Sequence, residues 1–438
     1  MNILFFSTNS NNFNGDAWVY TNFPTCRQQL DQFCQNHPDY NVTVATQLPG
    51  LFLVDTICNE ISEKSEKVHY EIIPTDDENE AADFLAHLKP DLAVAMSFWL
   101  APYDWLSIKD SMIAEILEKK GIQTLYNSVK SSLICFDKFQ THHFLKQHGF
   151  NTTETLYINH ELFFKTRKEI KTNVYKEAII HQLKNFPYPA IIKDPTGLSS
   201  YNADVVNNAE EAEKIILSKR TNSDRIMEQY VQGDHFGAEI YGQPGKYYVL
   251  EPFILSLNKY GITCPKQSVK LGPVTHPKFK VCQLKSELTR LSQLMEFKGI
   301  AQVDLVFDGI SWFIVDINPR LSGETNTYSA SQNRLIFDML LFPEPPQLKY
   351  VMNIKLPILE KSLLQELFSL DFVKSIKQME NKEAKQNRET GYCEMLIGST
   401  TTLDQLMSHL EFLKKNYPQI IEPIFYANAI KMAEKIKV

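Results

Sequence analysis

Carboxylate and amide side chains converge at the end of a predicted β-hairpin. Asp304 opens one apolar run, an Asp-Gly turn follows at 308–309, and Asp316 and Asn318 close the next run. Residues two apart on a strand share a face, so an antiparallel hairpin can return Asp316 and Asn318 beside Asp304. Oxygen ligands suit Mg²⁺, which binds through one or two carboxylates plus nucleotide phosphates. The pattern predicts a metal site at these three residues; the alternative is a hairpin with polar ends.

Two lysines are placed to contact a polyphosphate. Lys138 lies on a predicted helix, and Lys193 ends a short apolar strand just before a loop of small residues, 196–200. An ammonium group is a compact charge that suits phosphate, and the N–H groups of such a loop can cover the phosphates. We therefore interpret Lys138, Lys193, Ser199 and Ser200 as nucleotide contacts. A solvated helix face and an ordinary strand-end lysine are the alternatives for the two lysines.

The segment 228–231 has the composition of an adenine-binding hinge. Its backbone C=O and N–H groups can meet an adenine edge, while Tyr230 and Val231 form apolar walls. A polar residue just beyond it can reach a ribose hydroxyl. An edge strand followed by a turn is the alternative interpretation. The nucleotide contacts predicted here are Glu228, Gln229, Tyr230, Val231, Asp234 and His235.

Composition excludes several classes of protein. A chain of 438 residues predicts two to four domains, and a net charge of −7 argues against a nucleic-acid partner. The seven cysteines are scattered without a C-x-x-C pair, which favours a reduced, cytoplasmic setting over disulfides or a zinc site. No apolar run reaches the roughly 18 residues of a membrane helix. The first residues are typical of a strand and not of a signal peptide.

The order of apolar runs predicts the organisation of the chain. Strands alternate with helices up to about residue 127, which indicates a parallel sheet with helices on its faces. The loop 7–16 follows the first strand, where open α/β sheets bind ligands, but it lacks the glycine fingerprint of a dinucleotide site. One helix is predicted over 129–148. A third region begins at 346 and contains a charged stretch, 377–388, that we expect to be mobile.

In this order the segments resemble the ATP-grasp superfamily, and within it the carboxylate–amine ligases that act on amino acids. The series runs from Asp137-Lys138 through Ile191-Ile192-Lys193 and the hinge at 228–233 to Asp304 and the segment 316–320. The resemblance covers roughly residues 1–345. It implies an α/β and α+β chain, with a Rossmann-like pre-ATP-grasp domain at 1–127, an ATP-grasp domain at 128–345 with a lid at about 151–230, and a small C-terminal α+β domain at 346–438.

The resemblance also implies a chemistry. ATP would lie between two subdomains, with one or two Mg²⁺ ions bridging its phosphates and Mn²⁺ as an alternative metal. The γ-phosphoryl group would pass to a substrate carboxylate, and an amine would attack the acyl phosphate, which requires positioning and charge neutralisation. Arg320 would be the catalytic residue that neutralises the acyl phosphate. The implied partners are small acids and amines, amino acids first, with a homodimer left open.

Some features depart from the family pattern. The phosphate loop is poor in glycine, and Asp stands where the family has Glu at positions 304 and 316. Four residues lie where substrate carboxylates often bind, and the sequence does not show which of them face inward. Two other functions remain open: an ATP-grasp carboxylase or purine-pathway ligase, and a nucleotide-binding protein without turnover. The four residues of open orientation are Lys259, Lys266, Lys270 and His276.

Overall fold

The computed structural model describes residues 1–8, 18–47, 64–97, 105–166, 171–196, 203–218, 222–256, 268–381 and 391–437. Its first elements are β1 (Asn2–Ser7), β2 (Trp18–Phe23), α1 (Cys26–Asn36), β3 (Asn41–Thr46), β4 (Val68–Ile72), α2 (Glu78–His87), β5 (Leu92–Ala95), α3 (Leu106–Lys119) and β6 (Gln123–Leu125). Five of these strands form a parallel sheet in the order β4-β3-β1-β5-β6. The parallel sheet predicted from the alternating pattern is confirmed.

The next segment is broken where the sequence predicts one helix over 129–148. It forms α4 (Val129–Phe136) and α5 (Lys138–Gln147), separated by Asp137 in an extended conformation with φ −96° and ψ 110°. The Asp137 side chain accepts hydrogen bonds from the N–H groups of Phe139 and Gln140. A capping aspartate favours extended backbone over helix continuation, which explains the break. Lys138 therefore occupies the first position of α5.

A four-stranded sheet, here called the lid sheet, follows. Its elements are β7 (Thr155–Ile158), α6 (His160–Phe164), α7 (Val174–Asn185), β8 (Ala190–Lys193), β9 (Asp204–Val206), α8 (Ala209–Ile216) and β10 (Arg225–Gln229). The strand order is β7-β10-β8-β9, and each neighbouring pair is antiparallel. The last strand ends at Gln229, and the chain then leaves the lid sheet.

A ten-stranded sheet contains all the remaining described strands together with β2. Its elements and the helices around it are β11 (Asp234–Gln243), β12 (Lys246–Val249), β13 (Phe253–Leu255), β14 (Val269–Gly272), a 3₁₀ turn (Pro277–Phe279), α9 (Val281–Met295), β15 (Gly299–Phe307), β16 (Trp312–Asn318), α10 (Thr325–Gln332), α11 (Ile336–Leu341), β17 (Tyr350–Leu356), α12 (Lys361–Phe368), β18 (Val373–Asn381), β19 (Gly391–Thr400), α13 (Leu403–Asn416) and α14 (Pro423–Ile436). The order is β16-β15-β11-β13-β14-β17-β19-β18-β2, with β12 beside β11. The boundary proposed at 345 thus falls within one continuous sheet, and the domain division stays a prediction.

The prediction of a mobile stretch from residue 377 is wrong over the part of it that the structure describes. Residues 377–381 belong to β18, which pairs with β19 on one side and β2 on the other. The pairing satisfies the backbone on both edges, and Ile376 is buried in the main hydrophobic core. High charge had hidden the alternation of a strand. The remainder of the predicted stretch, 382–388, lies outside the described residues.

The main hydrophobic core lies between the ten-stranded sheet and helices that include α9, α12, α13 and α14. None of the helices in the described ranges combines the length and the apolar character needed to cross a bilayer.

Candidate active site

Strands β15 and β16 bring two carboxylates together. Asp304 pairs directly with Asp316, and Gln302 pairs with Asn318 two residues along. Directly opposed residues of an antiparallel pair share a face, and so do residues two apart. All four side chains therefore lie on one face of the ten-stranded sheet. The predicted hairpin is confirmed, including the return of Asp316 and Asn318 beside Asp304.

The electrostatics of this pair suit a cation. Burial raises the pKa of Asp304 to about 6, and the neighbouring charge of Asp316 adds to the shift. A divalent ion between the two carboxylates would relieve both effects. No group of three or more His, Cys, Asp or Glu side chains among the described residues is placed to hold a metal. Two carboxylates and the Asn318 amide oxygen nevertheless fit Mg²⁺, which takes its other ligands from phosphates and water.

A chain of hydrogen bonds connects Arg320 to Asp304. The Arg320 guanidinium donates to Asn318 Oδ1 at 3.0 Å, and Asn318 Nδ2 donates to Gln302 Oε1 at 2.7 Å. Gln302 Nε2 then donates to Asp304 Oδ1 at 2.8 Å. Arg320 is buried, and it also donates to the carbonyl of Leu321 at 2.9 Å. The arrangement fixes the amide and guanidinium groups in place beside the carboxylates.

Lys138 closes the same site from the side of α5. Its Nζ lies 3.2 Å from Asp316 Oδ2, and its N–H donates to the carbonyl of Pro195 at 2.8 Å. The second contact ties the start of α5 to the segment that follows Lys193. A cleft lined by Lys138, Asp316 and Asn318, together with Cys135, Phe136 and Pro319, opens at this point. The cleft thus brings the cation and two of the proposed metal ligands together.

Lys193 is paired with a hinge residue in the lid sheet. Its Nζ lies 2.6 Å from Glu228 Oε2, while His142 Nε2 lies 3.0 Å from Glu228 Oε1. Burial alone would raise the pKa of the Glu228 carboxyl, but Lys193 and His142 outweigh burial and lower it to about 2. The ionised Glu228 carboxylate, held between Lys193 and His142, fixes the position of Lys193. It also connects the lid sheet to α5.

Some backbone N–H groups of the hinge between β10 and β11 already form hydrogen bonds within the protein. The N–H of Gln229 donates to the carbonyl of Glu154, and the N–H of Tyr230 donates to the carbonyl of Pro189, both at 2.9 Å. An adenine edge would therefore have to use other backbone groups of 228–231. Val231, which follows Tyr230 in the hinge, is one residue that can supply them.

Asp234 and His235 begin β11 and point in opposite directions. Asp234 forms an ion pair with Lys435 on α14. His235 shares a sheet face with Gly237, which pairs with Asp304. Its Nε2 is buried without a hydrogen-bond partner among the described residues, and burial lowers its pKa. A neutral imidazole on the carboxylate face is better placed than Asp234 to meet a ribose hydroxyl.

Comparisons with known proteins identify this arrangement. Residues 135–324 match the model of the ATP-grasp domain, and they contain the hairpin, both lysines and the hinge. The chain has the ATP-grasp fold. The resemblance noted from the sequence is confirmed for residues 135–324, and the predicted mixed α/β fold class is confirmed.

Solved structures with the ATP-grasp fold cover nearly the whole chain. L-amino acid ligase from Bacillus licheniformis is 15% identical with a TM-score of 0.64, over 94% of this chain and 97% of that one. The biotin carboxylase domain of 2-oxoglutarate carboxylase from Hydrogenobacter thermophilus, solved with MgADP, ADP and bicarbonate, is 12% identical with a TM-score of 0.61, over 95% and 90%. At these identities the likeness shows the fold alone.

A curated relative matches part of the chain. An uncharacterized protein of Methanocaldococcus jannaschii is 26% identical over 200 residues, which is 45% of this chain and 44% of that protein. The chain therefore matches less than half the length of this relative.

The structure does not describe all of the predicted site residues of the ATP-grasp domain. Ser199, Ser200, Lys259 and Lys266 lie outside the described residues. His276 caps the 3₁₀ turn, where its Nδ1 accepts a hydrogen bond from the N–H of Lys278 at 3.1 Å. Of Lys270 and His276, the two residues of open orientation that the structure describes, Lys270 lies beside the carboxylates.

Lys270 faces a buried acidic cluster that the sequence did not reveal. Its Nζ donates to the carbonyl of Gly323 at 2.8 Å. Burial raises the pKa of Glu324 to about 8, opposed by Lys270 and reinforced by Asp304 and Glu239. The pKa of Glu239 is raised to about 7 by burial, although Tyr241, Thr325 and Ser322 all donate to it. Glu324 Oε2 has no hydrogen-bond partner among the described residues.

Some site residues that were not predicted could have been found from the sequence, and others could not. Gln302 lies two residues before Asp304 and so on the same strand face, and His142 lies four residues after Lys138 and so on the same helix face. Both could have been found from periodicity. Glu324 lies in a turn before α10 and meets Asp304 only through the fold.

Gly237 makes room for the Glu324 carboxylate. A Cβ at this position would lie 2.1 Å from both Glu324 carboxylate oxygens, and Glu324 is only 5% exposed. Gly237→Ala should lower the free energy of unfolding by about 1 to 3 kcal/mol, the usual effect of overpacking. Urea denaturation measures it. In a Glu324→Ala background the same change should be nearly neutral, and an equal loss in both backgrounds would contradict this steric explanation.

Proposed function

We propose that this protein is an ATP- and Mg²⁺-dependent carboxylate–amine ligase. The γ-phosphoryl group of ATP is transferred to an oxygen of a substrate carboxylate, giving an acyl phosphate and ADP. The amine nitrogen then attacks the acyl carbon, the amine loses a proton, and phosphate leaves as the amide or peptide bond forms. The substrates are small acids and amines, amino acids first.

One observation carries this proposal. Asp304 and Asp316 face each other on the hairpin, with Lys138 3.2 Å from Asp316 and a buried Arg320 connected through Asn318 and Gln302. When bound, Mg²⁺ on the two carboxylates would supply charge for the phosphates. Asp316 orients Lys138 toward the phosphates. The hydrogen bond to Asn318 holds the Arg320 guanidinium where negative charge accumulates during the reaction. Such preset charges stabilise a transferring phosphoryl group without a protein nucleophile.

The nucleotide site adds support. Lys193 is held by Glu228 at the edge of the lid sheet, and His235 lies on the carboxylate face of β11. We propose Lys138 and Lys193 as phosphate contacts, residues 228–231 as the adenine hinge and His235 as the ribose contact. We also propose a cytoplasmic setting, because the seven cysteines of the sequence are scattered without a C-x-x-C pair.

An assay of ADP release tests the reaction. The protein is incubated with ATP, Mg²⁺ and pooled amino acids, and then with bicarbonate in place of the amine. Amine-dependent release supports the ligase. Bicarbonate-dependent release would instead favour a carboxylase, the reaction type suggested by the likeness to the biotin carboxylase domain. Absence of release under both conditions would favour a binding protein without turnover.

Nucleotide binding should also be visible as thermal stabilisation. A ligand that binds the native state alone stabilises it by about 2.7 kcal/mol at 100 times its Kd. We expect ATP with Mg²⁺ to raise the melting temperature and NAD to leave it unchanged. Differential scanning fluorimetry with each ligand measures this. Stabilisation by NAD but not by ATP would return the N-terminal parallel sheet to a dinucleotide-binding role.

A further inference from the structure

The sheet face that carries Lys270 continues with charged side chains into the C-terminal strands. Lys270 on β14 pairs with Asn353 on β17, and Lys355 lies two residues further on the same face. Lys355 pairs with Glu394 on β19, which in turn pairs with Lys377 on β18. Paired residues of antiparallel strands share a face. These three residues, here called the lysine row, therefore extend the face that holds Lys270.

The opposite face of the same strands is apolar. Ile354, Met395 and Ile376, the neighbours of the row along each strand, are at most 1% exposed and belong to the main core. The residues of the lysine row are only partly buried. The lysine row therefore lies on the polar face of these strands, which is the face of the candidate active site. The hydrophobic core lies on the opposite face.

The row lies within reach of the reacting centre. Lys355 is the diagonal neighbour of Lys270 across β14 and β17, about 7 to 8 Å away. Lys377 lies two strands beyond β17, about 10 Å further. Helix α10 packs over β17 and β19, and its Thr327 Oγ1 accepts a hydrogen bond from Asn353 Nδ2 at 3.0 Å. A small extended substrate whose reacting end is near Asp304 can therefore span the gap to the row.

The charge of the row favours an anion. Two lysines flank one glutamate, and each lysine faces that glutamate directly. Burial lowers the pKa of Lys377, Glu394 opposes this shift, and Lys270 adds to it. Lys377 is thus within electrostatic range of Lys270. With two lysines and one glutamate the row carries a net charge of +1, which favours contact with an anionic group over a neutral one.

We propose that the lysine row binds a second anionic group, a carboxylate or a phosphate, on one of the two substrates. The proposal rests on the proposed function, because that function places the reacting carboxylate at the hairpin. It defines the substrate class: an acid or amine with an anionic group remote from the bond being formed. Hydrogen bonds between ammonium groups and such an anion are the stronger, charge-assisted kind.

Matched substrate pairs test the lysine row. Calorimetry in the presence of Mg²⁺ and a non-hydrolysable ATP analogue would measure the Kd of L-glutamate against L-glutamine, and of O-phospho-L-serine against L-serine. Wild-type protein should prefer the anionic member of at least one pair, and the pair that responds distinguishes carboxylate from phosphate. Lys355→Met and Lys377→Met should each weaken that binding about 10- to 100-fold and leave the neutral member unchanged. Glu394→Gln should tighten it.

Lys374→Met is the matched control on the same strand. Lys374 donates to the carbonyl of Asp371 at 2.7 Å and lies within electrostatic range of His409 on α13. It should behave as wild type, and melting curves should show that all variants fold. Equal or undetectable binding of the anionic and neutral members by wild type would overturn the proposal, as would unchanged preference in both row variants.

Turnover on the same proteins separates the two proposals. Anion binding that is lost in Lys355→Met, without ADP release from wild type in any mixture, would keep the lysine row and reject the ligase. ADP release from wild type with the same substrate preference in the row variants would keep the ligase and reject the lysine row.

Discussion

Asp316→Asn should reduce amine-dependent ADP release at least about 100-fold, the scale seen when one preset electrostatic group is lost at a transition state. The change removes one of the two carboxylates that face each other on the hairpin. It also removes the carboxylate charge beside Lys138, whose Nζ lies 3.2 Å from Asp316 Oδ2. Charge at both the proposed metal and the phosphate contact is therefore altered by replacing one oxygen with an amide nitrogen.

Asp308→Asn is the control for this variant. Asp308 lies in the turn of the same hairpin, where its carboxylate accepts hydrogen bonds from the N–H groups of Ile310 and Ser311, both at 2.7 Å. It should retain activity. Both variants should fold, since neither side chain is in the core. Full activity of Asp316→Asn at ordinary Mg²⁺ concentrations would reject the metal assignment.

The parts of the site that could be predicted are local in the sequence. The hairpin follows from a turn between two alternating runs, and strand periodicity alone places Asp316 and Asn318 on one face. Lys193 and Glu228 were predicted as separate nucleotide contacts, one for phosphate and one for adenine. Their ion pair depends on the register of β8 against β10, in which Glu228 faces Ile191. Neither segment alone predicts that register.

The parts that could not be predicted require distant segments to meet. The acidic cluster combines Glu239 from β11 with Glu324 from the turn before α10, and Lys270 from β14 faces it; no spacing in the sequence connects the three. Two other errors are local. Asp137 interrupts a helical pattern because its side chain caps the following N–H groups. The many charged residues of β18 obscured its alternation of buried and more exposed side chains, which can be recognised once one face is known to be buried.

Arg320→Lys should retain ATP binding and lose much of the turnover. The guanidinium donates simultaneously to Asn318 Oδ1 at 3.0 Å and to the carbonyl of Leu321 at 2.9 Å, which holds its plane in a fixed orientation. A planar fork can contact two oxygens of an acyl phosphate, whereas an ammonium offers a point charge. The barrier should rise by roughly 2 to 4 kcal/mol, the range for one preset donor. ATP affinity should persist because we assign it to Lys138, Lys193 and the hinge.

The measurement combines ATP affinity by calorimetry with amine-dependent ADP release. Arg334→Lys is the matched control, because Arg334 donates to the carbonyls of Asp338 and Phe342 near α11 and not to the hairpin. It should leave both quantities unchanged. ADP release by Arg320→Lys at the wild-type rate would reject the catalytic role. Weakened ATP binding with unchanged turnover at saturating ATP would place Arg320 in the nucleotide site, since the guanidinium would then contact ATP and not the acyl phosphate.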